Sequence, residues 1–466
     1  MRHQTAAADK LAGLRVGALF QDPGTGKSRT AIELACRRQH RIRRVVWLAP
    51  VAAKTTVRHE ILKHTTHGAG DVHVFDDRTS STHLPDAFWY VAGTESLSSS
   101  DRVTLALHAL IDERTLVIAD ESDMLRTHHA RRTLRATMLA RRAWGRLILT
   151  GTPVPEGIAN LFAQMRFLDE RILGHRSWYS FSNAHIEWSE RHRGLIRRIN
   201  DQDLLARRIA PYTYQVTRGE CLDLPAQAWD ELWGELSPQQ LDAYARARWE
   251  LLDQVADEDL TATHIYRLFT ALQQIAAGFW NRRDPHTREV ATEVYPHARL
   301  DLLETAVRRI SLGEKVIVWC KFHHSLRQVV ARLQPLGGVA QHHGLMTGRE
   351  READLAAWRS PGGPRFLVGT ASSGGRALTL NEARHAVFYE RGFSFTQNYQ
   401  AELRNHRIGT TGTVTYTDLR ANCGIEKRIA AAYRKKSSVT AMFREEVARV
   451  KDKKLVRERL KGVFST

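Results

Sequence analysis

The segment LFQDPGTGKS at 19–28 follows an apolar run and opens a helical pattern, SRTAIELACRR at 28–38. Residue types at this spacing suit a polyphosphate. Gly24 and Gly26 let backbone N–H groups turn toward phosphate, the Lys27 amine reaches the β- and γ-phosphates, and the Ser28 hydroxyl binds Mg2+. The N-terminus of the helix that follows adds partial positive charge. Pro23, Gly24, Thr25, Gly26, Lys27, Ser28 and Arg29 are therefore the expected nucleotide-binding loop. The full G-x-x-x-x-G-K-[ST] pattern asks for glycine where Gln21 stands, so the loop needs partner chemistry elsewhere.

TLVIADESDM at 115–124 supplies it: a buried strand would deliver Asp120 to hold Mg2+ and Glu121 to polarise an attacking water. RLILTGTP at 146–153 ends another strand in hydroxyls, and Thr150 and Thr152 are placed to couple the acidic loop to a track. QNYQAELRNHRIG at 397–409 puts Arg404 and Arg407 three apart, which predicts one helix face presenting two guanidinium forks. Such arginines stabilise charge developing on a γ-phosphate.

These residues need rigid elements beneath them. RVVWLAP (44–50), FWYVAG (88–93), TLVIAD (115–120) and RLILTG (146–151) are short apolar runs separated by helical patterns, the rhythm of a parallel sheet covered on both faces. KVIVWC (315–320), RFLVGT (365–370), HAVFYE (385–390) and TVTYTDL (413–419) repeat it. Two α/β lobes are expected, at 1–222 (with a helical insertion near 170–210) and 299–433, joined by a helical region at 223–298 and followed by a basic helical tail at 434–466. Ligands of such sheets bind at the carboxyl ends of the strands, where the polar motifs fall.

Composition narrows the partners. The 466 residues carry a net charge of +18, which draws polyanions by long-range attraction and counterion release. From Lys427 to Thr466 there are thirteen Lys/Arg against four Asp/Glu; this stretch is either a solvated helix or a phosphate contact. The four cysteines have no C-x-x-C spacing, which argues against zinc or a disulfide framework. The His pairs 128–129, 323–324 and 342–343 are expected to be polar surface or nucleic-acid-facing residues. No apolar run is long enough to span a membrane and no signal segment opens the chain, so a cytoplasmic, monomeric protein is expected.

In this order the blocks resemble superfamily 2 helicases, and most closely the Snf-type (chromatin-remodeller-like) DNA translocases, from about Arg2 to Tyr433. The resemblance implies tandem RecA-like lobes, ATP with Mg2+ as fuel, and duplex or branched DNA as track. Arg2-His3-Gln4 looks like the start of the family's domain, whose glutamine, here Gln4, reads adenine. The family's own loop also lacks the first glycine. LAPVAAKTTVRHEI (48–61), with Lys54, and AGTESLS (92–98), with Thr94, are similar to the family's Ia and Ib backbone contacts. DESD departs from D-E-A-H at Asp123, and LTGTPVPEGIANLF departs from the family's block at Glu156 and Asn160. LDLPAQ (222–227) followed by LSPQQLDAY (236–244) resembles the feature that separates the Snf type from other helicases. GTASSGGRALTL (369–380) is similar to motif V, placing Thr370, Ser372, Ser373 and Gly374 on the DNA backbone, and Gln400, Arg404 and Arg407 carry over as motif VI. Compact members are typical of phages and of bacterial repair or defence systems. A translocase in replication, recombination or repair is expected, with proteins of those processes as possible partners. An RNA-dependent motor and an ATP-gated DNA clamp are the alternatives.

Overall fold

The computed structural model describes all residues except 126, 152–157, 189–195, 254–261, 284–286, 288, 375–377, 438, 440, 441 and 443–466, and the side chains of 251–253, 262, 263, 373 and 374. The chain forms two compact units, Met1–Glu187 with Arg198–Asp223, and Leu224–Thr466 with Trp188–Arg197.

In the first unit, Val16–Gln21 (β1), Arg44–Ala49 (β2), Val72–Val74 (β3), Trp89–Gly93 (β4), Thr115–Asp120 (β5) and Gly145–Thr150 (β6) are strands; further along the chain Ile186–Trp188 (β7) pairs with Ile196–Ile199 (β8) in a small ribbon, and Thr213–Val216 (β9) belongs to the first unit again. Seven of these make a wholly parallel sheet in the order β3-β4-β2-β5-β6-β1-β9. Its inner strands are buried nearly end to end, because helices cover both faces. The helix Lys27–Arg37 buries Thr30, Ala31, Leu34 and Ala35 at helical spacing and leaves Arg29 and Glu33 outward.

The second unit repeats the design. Its strands are Gln227–Gly234 (β10), an antiparallel hairpin of Phe279–Arg283 (β11) and Val290–Val294 (β12), then Val316–Cys320 (β13), Val339–His342 (β14), Phe366–Thr370 (β15), His385–Phe388 (β16) and Val414–Ala421 (β17). Six of them form a parallel sheet, β10-β17-β16-β13-β15-β14. Along β13 the side chains alternate between two cores: Val316, Val318 and Cys320 enter one, Ile317 and Trp319 the other. Both faces being buried, the strand reads as unbroken apolar sequence.

Residues 223–298 depart from the expected helical linker. The segment gives β10 to the second sheet and ends in the β11–β12 hairpin, while its helices Pro238–Asp253 and Ala262–Ala276 share a core with Ile425 and Ile429 of helix Gly424–Arg434. Alternating half-exposed residues in QAWDELWG hid this edge strand from a search for apolar runs. The expected insertion near 170–210 contains helices Trp178–His185 and Gln202–Ile209 together with the ribbon. Most of the basic tail falls outside the described residues. Among those described, no helix is long and apolar enough to cross a membrane.

Candidate functional site

At the carboxyl end of β1 the chain turns through Asp22–Gly26 into helix Lys27–Arg37. Gly24 and Gly26 sit at φ 89° and 90°, in the left-handed region that glycine enters without Cβ strain. Gly26 is doubly required, since a Cβ there would lie 2.0 Å from Nε2 of Gln4. Gln4 Nε2 donates to the Thr25 carbonyl at 3.1 Å, and His3 Nε2 lies 2.7 Å from the same oxygen. The helix Arg2–Ala12 thus lays His3 and Gln4 against the loop. Thr25 Oγ1 donates to the Asp22 carbonyl at 2.8 Å, and the Arg218 backbone N–H donates to Asp22 Oδ2 at 3.0 Å. Gln21 is fully buried, so its side chain leaves the loop surface clear, and its carbonyl accepts Lys27 Nζ at 2.9 Å. Arg29 is exposed, and Ser28 is half-buried with no hydrogen bond from its hydroxyl among the described residues.

Two strands away, β5 delivers the acids. Asp120 Oδ1 accepts the Glu121 N–H at 2.9 Å, and the indole N–H of buried Trp47 points at Oδ2 from 3.4 Å. Burial and then the like charge of Glu121 push the Asp120 carboxyl up to about 6, against the pull of Lys27. Glu121 itself takes φ 46°, an uncommon conformation for a non-glycine residue. Two adjacent carboxyl groups, Asp120 with its pKa raised by burial and Glu121 beside it, together with the Ser28 hydroxyl at the start of the helix after β1, fit a hard divalent cation that shares phosphate oxygens. Asp120 and Ser28 are the residues that would hold it.

Between these two strands runs β6, whose Leu149 stands opposite Asp120 and whose Thr150 stands opposite Phe20. Thr150 is fully buried at this junction. A Cβ on Gly151 would come within 2.7 Å of Pro23 and 3.3 Å of the Gln21 carbonyl. The glycine of T-G-T-P is therefore what lets β6 end against the phosphate loop. Thr152 lies outside the described residues. The turn after Glu121 is tied down by Ser122 Oγ donating to Gln164 Oε1 at 2.7 Å, with Gln164 Nε2 bonded to the Asn160 carbonyl. Asp123 is buried in this turn.

The second unit corrects the helix-face expectation for Arg404 and Arg407. Helix Phe395–Glu402 carries buried Gln400 but stops before both arginines. The chain leaves it through turns closed by Arg404 N–H to Ala401 O and Thr410 N–H to Arg407 O. Arg404 is buried and donates to the Leu378 carbonyl at 3.2 Å; Arg407, half-buried, donates to Leu403 O at 2.8 Å and Thr379 Oγ1 at 2.9 Å. The two guanidinium groups thus meet on the segment 378–379. Beneath them lies a pairing that the sequence did not announce. Buried Arg391 bonds Asp418 at 2.8 and 2.9 Å and Glu402 at 2.7 Å, and is sandwiched by Phe388 and Tyr433. It fastens the Gln400 helix to β16 and β17.

The expected backbone contacts divide. Thr370 and Ser372 lie at the carboxyl end of β15 with hydroxyls 3.4 Å apart, Thr370 buried and Ser372 exposed. Ser373 and Gly374 lie in the short helix Ala371–Gly374 that follows, and their side chains are outside the described residues. Lys54 is turned onto the Phe75 carbonyl at 2.5 Å, and burial lowers its pKa. Thr94 is only 2% exposed; its backbone N–H donates to the Ala49 carbonyl at 2.8 Å at the end of β4, and its hydroxyl is buried and, in this conformation, does not present itself to a ligand. His3, Trp47 and Arg391 were missed; only His3, adjacent to Gln4, had any local signal.

Two family models match the chain: an SNF2-related domain over residues 10–277 and a helicase conserved C-terminal domain over 298–409. Among curated proteins, a Caenorhabditis elegans SWI/SNF-related regulator of chromatin subfamily A-like protein 1 homolog is 25% identical over 414 residues, covering 85% of this chain and 54% of that protein. An uncharacterized ATP-dependent helicase of Mycoplasma genitalium is 22% identical, covering 69% and 30%. A CHD3-type chromatin-remodeling factor of Arabidopsis thaliana is 22% identical, covering 61% and 23%. The chain thus spans about half or less of the length of these relatives. Among solved structures, the Sulfolobus solfataricus SWI2/SNF2 ATPase core in complex with dsDNA is 18% identical with a TM-score of 0.42, covering 99% of this chain and 95% of that one.

Proposed function

The chain belongs to the SNF2-related family, and from that premise we propose that it is an ATP-driven translocase acting on duplex or branched DNA, in replication, recombination or repair. The observation that carries the reading is the meeting of Gln4, Gly26, Lys27, Asp120, Glu121 and Gly151 at one edge of one parallel sheet.

Each residue then has a task. Gln4 and His3 hold the loop from the side where a purine would stack. ATP displaces Lys27 from the Gln21 carbonyl and draws its amine onto the phosphates. Ser28 and Asp120 would hold Mg2+, which would supply charge neutralisation at the phosphates. Glu121 orients the attacking water and accepts its proton. Arg404 and Arg407 are proposed to stabilise charge that develops on a γ-phosphate, and their bonds to Leu378 and Thr379 tie them to the motif V segment. Phosphate contacts carry little sequence information, so binding is sequence-independent and weakens with salt.

Asp123, buried where the family has histidine, favours one competing reading, an ATP-gated DNA clamp that does not move. Turnover measured with duplex, forked, junction and single-stranded DNA and with RNA tests the substrate. The reading expects stimulation by DNA, with duplex or branched forms foremost; stimulation by RNA alone contradicts it.

A further inference from the structure

We infer that the cavity at the amino ends of β1, β6 and β9 is a second anion site, built for a small ligand with two or more phosphate groups and separate from the glycine loop. The inference does not rest on the reading above, since it concerns the opposite edge of the first sheet.

Four segments of the first unit meet there. Val16 opens β1 and stands opposite Arg146 at the start of β6. Tyr212 precedes β9, Arg141 follows the helix Arg131–Ala140, and residues 169–172 follow the helix Ile158–Leu168. Together they line a cavity of about 570 Å3, a volume that suits a small molecule. Five strand residues at about 3.3 Å each separate Val16 from Gln21, so the cavity lies about 16 Å from the glycine loop. Gly145 lets the chains approach: a Cβ there would lie 2.7 Å from the Arg15 carbonyl, which accepts the Arg146 N–H at 2.9 Å. The backbones of Arg15 and Arg146 are thereby fixed side by side.

The lining is rich in guanidinium groups. Arg15, Arg141, Arg146 and Arg171 all face the cavity, and Asp169 is the carboxylate among them. Asp169 is taken up by Arg171 in a fork of 2.9 and 2.7 Å, and nearby Glu170 receives Arg141 at 2.6 Å. Arg15 and Arg146 make no ion pair among the described residues. Backbone carbonyls orient them instead: Arg15 Nε donates to Trp144 O at 2.8 Å, and Arg146 Nη1 donates to Leu168 O at 2.5 Å. A guanidinium carries five N–H donors, so others remain for a ligand. Arg146 Nε is buried with no partner among the described residues. Arg38 adds a further cation, 5.9 Å from the Trp144 ring that Arg15 also overlies at 5.5 Å.

These cations repel one another. Burial lowers the Arg146 pKa first; Asp169 opposes it, and Arg141, Arg15 and Arg171 lower it further. An anion in the cavity relieves that repulsion. The planar fork of arginine matches the paired oxygens of a phosphate, and a chain of phosphates engages several forks where a lone carboxylate engages one. A free polyphosphate and the phosphate chain of a nucleotide share this chemistry.

The glycine loop is itself a candidate for polyphosphate, so the test separates the two sites. Calorimetry with inorganic tripolyphosphate is run on wild type, on Lys27→Ala, and on Lys27→Ala combined with Arg15→Gln/Arg146→Gln. One equivalent should persist in Lys27→Ala, and its affinity should fall about tenfold for each arginine removed. Asp169→Asn frees Arg171 and should tighten binding, which a purely structural role for these residues would not do. Should Arg146→Gln fail to fold, exposed Arg15→Gln alone takes its place, with about a tenfold loss expected. A nucleoside triphosphate that displaces tripolyphosphate from Lys27→Ala at lower concentration makes the ligand a nucleotide; one that competes no better makes it the free chain, and both keep the site. Displacement by a short duplex at a lower phosphate concentration than either overturns the small-ligand assignment. No binding in Lys27→Ala, or binding that the arginine substitutions leave unchanged, overturns the site. Equal stoichiometry in wild type and Lys27→Ala counts against the glycine loop and leaves the cavity standing.

Discussion

At the scale of single residues the account turns on charge and on missing side chains. Asp120, raised to about 6, is largely protonated in acid, and binding a divalent cation requires that proton to leave. The apparent Mg2+ affinity of the ATP complex should therefore rise with pH until about 6 and level off above it. Mg2+ titrations of nucleotide binding across this range check the point: a flat profile would mean that Asp120 is not the ligand, and Asp120→Asn should weaken binding and abolish the pH dependence together. Gly26 makes a different kind of prediction. Its left-handed φ costs a non-glycine residue about 1–2 kcal/mol, and a Cβ would also collide with Gln4. Gly26→Ala should weaken ATP binding about tenfold while circular dichroism stays unchanged. Equal affinity in the variant would show that the loop does not close on nucleotide in this form.

At the scale of elements, what holds motif VI in place is a buried charge cluster. Arg391 joins Glu402, at the end of the Gln400 helix, to Asp418 on β17. Removing one partner of a buried pair leaves the others uncompensated at a cost of about 3–5 kcal/mol. Arg391→Met should lower the melting temperature accordingly and depress turnover more than nucleotide affinity; a variant as stable as wild type would make the cluster incidental. This cluster also marks where the sequence stops being legible. The inner strands were readable because burial on both faces leaves an unbroken apolar run, as in VIVWC and TLVIAD. The edge strands β9, β10 and β14 were not, since a half-exposed strand mixes Gln, Glu and His with its apolar residues. Arg404 and Arg407 had helical spacing, but the turn after Glu402 is set by backbone bonds that spacing does not encode. The positions of the glycine loop after β1 and of both acids at the end of β5 were legible, because they depend on short, contiguous segments. The Trp47 and Arg391 contacts join residues distant in sequence and become visible only through register.

At the scale of the whole molecule, two parallel sheets each present their polar motifs at the carboxyl ends of their strands: the glycine loop and the acids Asp120 and Glu121 on the first, the hydroxyls of Thr370 and Ser372 on the second. A chain with net charge +18 is drawn to polyanions at long range, an attraction that selects no sequence. Attraction and hydrolysis together still describe a clamp as well as a motor, and only directed movement distinguishes them. The most direct measurement is displacement of a third strand from a duplex carrying a triplex-forming oligonucleotide. The account predicts release that requires hydrolysable ATP and is abolished by Lys27→Ala. DNA-stimulated hydrolysis with the third strand left in place would contradict it.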